Sequence, residues 1–253
     1  MKYDYLFLGV QRTGTSSIWD ILKLHTEVKA GRIKEISHAY LPDRPLNTWH
    51  ITESFVPKKD TKVFLEGTPT LVLNSNYAKG LKIHNNIGNI KCIFTLRNPL
   101  SRMYSNVMYQ AKRYYKFGDN LGENFLDGNE IIEPILTELV YDQFYNYDLL
   151  QRIDTNIGIE NTLIIKMEDL TPSTKTICDF VGIKEIDKDI PNTNKGKNFM
   201  MPFKMIMTYH KLNGWLFKRK QQFLDMMNDD YEQMKKLYGV TFNERDLPHG
   251  FDI

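Results

Sequence analysis

Cysteine is scarce in this chain of 253 residues, and that scarcity narrows the possibilities first. Only Cys92 and Cys178 are present, each inside an apolar run, as a buried free thiol would be. Two such residues build no disulfide framework, and without a CxxC pair there is no zinc motif. A reducing compartment is the expectation. The histidines show no HExxH or other metal spacing. Magnesium would need an acidic partner and a Lys-Ser pair that the chain lacks, so a metal-free reaction is expected.

An excess of charge of one sign is also missing. The net charge is +2, which offers no global basic field to nucleic acid. Any anion must be held by local placement of Arg and Lys. No apolar run is long enough to span a bilayer, and Met1 leads into a strand without a charged n-region and apolar h-region. A cytoplasmic protein with no stable membrane insertion is expected. No repeat, low-complexity tract or linker divides the sequence, which suits one domain over 1–253. A chain of this size buries roughly 70–75% of its unfolded surface, so its core needs no staples.

What is present is an alternation of short β-type apolar runs with helical patterns. That alternation predicts an α/β fold with a mainly parallel central sheet flanked by helices. Strands are expected at Tyr5–Val10, Lys62–Glu66, Lys91–Leu96 and Thr162–Met167. Helices are expected from Thr15 to about His25, from Pro99 to about Tyr114, over Ile131–Ile153, from Thr171-Pro172 to a stop at Gly182, and through the last fifty residues. Asp119–Glu130 and residues 185 to 200 read as polar loops. Strand order is left open.

The most informative stretch joins the first strand to the first helix. From Gly9 to Ser16 it nearly matches the triphosphate loop G-x-x-x-x-G-K-[ST], but Thr15 stands where the lysine belongs and the basic residue is Arg12. A Gly-bounded loop at a helix start is an anion cradle of backbone N–H groups. Without the lysine it suits a smaller group, a 5′-phosphate or phosphosulfate. Arg12, Thr13, Gly14, Thr15, Ser16 and Ser17 are the candidate ligands.

A second candidate follows the Lys91–Leu96 strand. Arg97 stands at its carboxyl end, where ligands bind in open α/β sheets, and Asn98-Pro99 reads as a helix cap with proline at the first helical position. Arg102 and Ser105 are three apart and share a helix face. A guanidinium fork and a hydroxyl there make a phosphate receptor. Two anion sites on adjacent strand ends imply a ligand with two separated phosphate-like groups.

Together, Gly9–Ser17 and Arg97–Ser105 resemble the 5′-phosphosulfate loop and 3′-phosphate site of the sulfotransferase family, which uses 3′-phosphoadenosine 5′-phosphosulfate (PAPS). The glycan (heparan-sulfate-type) branch and its bacterial and phage relatives are the most similar. The resemblance continues at Lys34-Glu35-Ile36-Ser37-His38, Leu65-Glu66-Gly67-Thr68-Pro69, Ile165–Leu170 and Asn194-Lys195-Gly196-Lys197. It implies a P-loop-like fold and transfer of a sulfuryl group to a hydroxyl or amine of a carbohydrate or other small acceptor. Adenosine 3′,5′-bisphosphate would be released. Arg97 and Ser105 would hold the 3′-phosphate, and Lys195, Gly196 and Lys197 would close over the cofactor. Glu35 would be the general base, with His38 the runner-up and Arg12 steadying the leaving group.

One position departs from the family pattern. The lysine that often precedes Thr-Pro is replaced by Gly67, so Lys34, Lys195 or Lys197 must compensate, or Arg12 must carry more. Glu66 reads equally as an acceptor-positioning group or a structural strand-end carboxylate. Met200, Met201, Met205, Met207, Trp215 and Phe217 read as core packing or an acceptor lining, and Lys218-Arg219-Lys220 as a solvated face or a patch for an acidic surface. Two rivals stand beside this reading. A P-loop nucleotide kinase is opposed by the missing lysine, and a non-catalytic nucleotide-binding protein of the same fold is kept open by Gly67.

Overall fold

The computed structural model describes residues 2–31, 34, 56–69, 71–73, 75–83, 86–99, 101, 102, 105, 106, 146–167, 174–186, 214 and 218–241. They fall in two compact units, Met1–Leu96 with Leu149–Lys195, and Arg97–Asp148 with Gly196–Ile253.

The first unit holds the sheet. Its strands are β1 (Tyr3–Gly9), β2 (Val28–Ala30), β3 (Val63–Glu66), β4 (Ile87–Leu96) and β5 (Thr162–Lys166). They lie in the order β2-β3-β1-β4-β5, and every neighbouring pair is parallel. This is the α/β architecture with a parallel central sheet expected from the alternating pattern, and the P-loop-like fold that the resemblance implied. β1 is central because it can be buried on both faces: Tyr5, Leu6, Phe7 and Leu8 are all without solvent exposure. The side-chain alternation of a strand sends Leu6 and Leu8 one way and Tyr5 and Phe7 the other.

Leu6 and Leu8 join Leu65, Ile93 and Ile165 in a core cluster with α1 (Thr15–Leu22) and α4 (Thr174–Val181). From α1 come Ile18, Trp19, Ile21 and Leu22, and from α4 come Ile177, Cys178 and Val181. Each fully buried Leu or Ile in such a cluster contributes roughly 1.5–3 kcal/mol. On the other side, Tyr5 and Phe7 meet the Tyr77 ring of α2 (Ser75–Ile83). Asn156 of α3 (Asn146–Ile157) donates its Nδ2 to the Val72 carbonyl at 3.1 Å.

Several boundaries differ from the sequence reading. The α-helix from Thr15 ends at Leu22, and tighter bonds from Leu24 N to Ile21 O and His25 N to Leu22 O finish the turn. β4 begins at Ile87, four residues before Lys91; the exposed Gly88 and Asn89 interrupt its apolar run, so the sequence pattern marks only its later part. There Asp4 Oδ1 accepts from Asn89 N and Nδ2, and Asp4 Oδ2 pairs with Lys91 at 3.2 Å. β2 and α2 have no counterpart in the reading. Gly182 does close α4: its φ is 83°, and its N–H reaches the Cys178 carbonyl at 2.8 Å. Both cysteines are buried free thiols.

The second unit contains helical residues directly after β4 (Pro99, Ser101, Arg102, Ser105, Asn106) and α5 (Lys220–Tyr238). Asn98 Oδ1 accepts from Ser101 N at 3.2 Å, the cap expected ahead of Pro99. Asn98 Nδ2 donates to the Tyr231 hydroxyl at 3.2 Å. No helix among the described residues is long and apolar enough to cross a membrane.

The β3 end carries a buried carboxyl. Glu66 is 1% exposed; its Oε1 accepts from Thr68 N at 2.8 Å, and its Oε2 accepts from the Tyr5 hydroxyl at 3.4 Å. Tyr5 and Tyr77 hydroxyls lie 2.8 Å apart. Burial pushes Glu66 up to about 7, against the lowering effect of its hydrogen bonds. A carboxyl whose folded pKa is raised favours folding at low pH, and that advantage is lost as pH climbs through the folded value. Urea unfolding should therefore show stability falling between pH 5 and 8, by up to about 3 kcal/mol from this group. Glu66→Gln should flatten that slope.

Candidate active site

Topology fixes where a ligand would sit on the sheet. From β1 the chain crosses toward β2, and from β4 it crosses the other way toward β5. Adjacent strands whose connections diverge form a switch point, and ligands of open parallel sheets bind outside the carboxyl ends there. β1 and β4 are direct neighbours, with Gly9 opposite Phe94. Both candidate anion segments read from the sequence follow these two strands.

The loop after β1 is built for a tight turn. Arg12 and Gly14 have φ of 67° and 93°. Gly14 caps α1 without a side chain, and its carbonyl accepts from Ser17 N at 3.0 Å. Gly14 thus puts no side-chain cap of its own on the first N–H groups of the helix, which a ligand anion can take.

Thr13 is fully buried, and its hydroxyl serves the loop itself. It lies 2.6 Å from the Val10 carbonyl and meets the Thr95 hydroxyl, whose Oγ1 lies 3.0 Å from Gly9 O, so two protons are shared among three contacts. The ends of β1 and β4 are stapled together by this pair. In this structure the Thr13 side chain faces the staple, bonding within the loop and to β4. Thr95 carries no distinguishing signal in the sequence, being a threonine inside a strand.

Thr15 and Ser16 present the hydroxyls that open α1. Lys34 Nζ donates to Ser16 Oγ at 2.8 Å and to Thr15 Oγ1 at 3.4 Å. Ser17 is buried, and Arg12 is half-buried. The site thus brings a cation to the start of the helix from a segment 18 residues away from Ser16.

Arg97 follows Leu96, the last residue of β4, and is half-buried, as is Ser105. Arg102 does not join them as a surface receptor. It is 2% exposed, and burial lowers its guanidinium to about 10 while the charge of Asp230 opposes that shift. Burial raises Asp230 to about 6. Sharing a helix face with Ser105 did not say which way Arg102 points, and it points inward. Glu35, His38, Lys195, Gly196 and Lys197 lie outside the described residues, as do Met200, Met201, Met205, Met207, Trp215 and Phe217.

No protein-family model and no curated protein sequence matches the chain. Among solved structures, a sulfotransferase from Alicyclobacillus acidocaldarius superposes with a TM-score of 0.62, covering 96% of this chain and 98% of that one at 16% identity. The chain has the sulfotransferase fold. A sulfotransferase domain of the curacin biosynthetic pathway matches over 81% of this chain and 82% of its own, at 14% identity and a TM-score of 0.47. The domain from the Synechococcus PCC 7002 olefin synthase covers 84% and 96%, at 14% identity and 0.43.

Proposed function

We propose that this protein is a PAPS-dependent sulfotransferase that moves a sulfuryl group to a hydroxyl or amine of a carbohydrate or other small acceptor. The observation that carries the reading is the loop after β1: an anion cradle with hydroxyls at Thr15 and Ser16, a cation bonded to both, and no lysine at position 15, on a sulfotransferase fold. The residues fit a phosphosulfate. The cap of α1 is a glycine that leaves the helix N-terminus to a ligand, and two hydroxyls stand at its first turn.

PAPS supplies the sulfuryl group together with a good leaving group, the 5′-phosphate. The residues of the chain divide the remaining work. Arg12, Thr15, Ser16 and Ser17 bind the 5′ end and spread the negative charge that grows on the leaving oxygen. Arg97 and Ser105 take the 3′-phosphate, and Lys195, Gly196 and Lys197 close over the nucleotide. Glu35 accepts the acceptor's proton as its oxygen or nitrogen bonds to sulfur and the bond from sulfur to the phosphate oxygen breaks. These assignments, and the likeness to glycan-type enzymes, rest on the sequence resemblance. The reaction needs no metal in this reading.

Calorimetry with adenosine 3′,5′-bisphosphate and with ATP, each with and without Mg²⁺, tests the proposal. The bisphosphate should bind tightly and independently of metal, and Arg97→Ala should weaken it roughly 10- to 100-fold through loss of a charged hydrogen bond. Mg²⁺-dependent ATP binding without bisphosphate binding would contradict the proposal and favour a kinase. Glu35→Gln should bind the bisphosphate like wild type yet lose roughly 10²- to 10⁴-fold in turnover with any accepted substrate. Full activity in that variant would remove Glu35 as the base.

A further inference from the structure

The cation missing from two places in the sequence is present in a third. Position 15, the lysine position of a triphosphate loop, is threonine, and position 67, before Thr-Pro, is glycine. Gly67 is not simply a lost side chain. A Cβ placed there would lie 2.5 Å from the Lys34 carbonyl oxygen, 2.8 Å from Lys34 Cγ and 2.6 Å from Cε3 of Trp19. The Lys34 backbone and stem occupy the space that a residue-67 side chain would need. Trp19 is 6% exposed and anchored in the core cluster, so it cannot give way cheaply.

The path of the chain explains the arrangement. β2 ends at Ala30, and Gly31 N still bonds to the Leu65 carbonyl at 3.3 Å. Three residues later Lys34 lies against Gly67, just past the end of β3. From there its ammonium reaches Ser16 Oγ and Thr15 Oγ1. An ammonium has donors and no acceptor, so the direction of both bonds is fixed. Each hydroxyl uses a lone pair on Lys34 and keeps its single proton to donate elsewhere. An anion in the loop would meet the Lys34 ammonium and two hydroxyls that each keep a proton to donate.

We infer that Lys34 is the lysine of this site, a catalytic residue that binds the 5′ end of the nucleotide and stabilises the leaving phosphate oxygen, and that Gly67 exists to admit it. This inference rests on the sulfotransferase reading above.

The test compares two nucleotides that differ only at the 5′ end. Calorimetry would measure adenosine 3′,5′-bisphosphate and adenosine 3′-monophosphate binding to wild type, Lys34→Gln and Lys34→Arg. Lys34→Gln should lose roughly 10- to 100-fold in affinity for the bisphosphate. It should bind the 3′-monophosphate like wild type, and Lys34→Arg should recover part of the bisphosphate affinity. Unchanged bisphosphate binding in Lys34→Gln would overturn the inference. So would an equal loss for both nucleotides, in either variant, because a merely structural lysine would not distinguish the 5′ end. Wild type that binds neither nucleotide would instead overturn the sulfotransferase reading itself, and the role of Lys34 with it.

Discussion

Burial of β1 on both faces is the constraint from which the site follows. A strand hidden between two layers must be apolar along its length, must lie inside the sheet, and must end where the sheet ends. Tyr5 to Leu8 meet the first demand, and β3 and β4 meet the second by pairing on either side. Gly9 onward can then leave the sheet only at its carboxyl edge, between crossovers that diverge. The Thr13–Thr95 staple holds the departing loop to β4, and α1 begins at Thr15 behind a glycine N-cap that makes no side-chain cap bond. The anion cradle results from sheet geometry before any ligand-specific residue is considered.

Charge is distributed around that cradle by backbone proximity. A helix N-terminus carries only a partial positive charge, so a phosphosulfate also requires formal cations. The route of Lys34 across Gly67 brings one from beyond the exit of β2, two strands from β1, to a loop that has no lysine at position 15. Glu66, two residues after Phe64 on the same strand and next to Gly67, is buried beside Tyr5, and burial raises its pKa to about 7, so it is a weaker anion there than an exposed carboxylate.

Much of this was legible in the sequence, for reasons that differ by element. β1 and its loop were plain because a continuous apolar run, two glycines and a cluster of hydroxyl residues are local signals. The Asn98-Pro99 cap and the Gly182 stop were legible for the same reason. β2 was not, since three residues centred on Lys29 carry no period. α2 was missed because Asn76, Gly80 and exposed lysines dilute its apolar stripe of Tyr77, Ala78 and Leu81. The inward turn of Arg102 and the contact between Lys34 and Ser16 depend on tertiary packing, which no spacing rule reaches. Gly67 could be read as a gap that Lys34, Lys195, Lys197 or Arg12 must fill; that the Lys34 stem lies against it depends on tertiary packing.

A crystal structure of the protein with adenosine 3′,5′-bisphosphate is the most direct measurement of the central claim. The 5′-phosphate should rest on the loop between Gly9 and Ser17, with Thr15 Oγ1, Ser16 Oγ and Lys34 Nζ at hydrogen-bond distance, about 3 Å. A nucleotide bound elsewhere, or seated with its 5′-phosphate away from that loop, would contradict it.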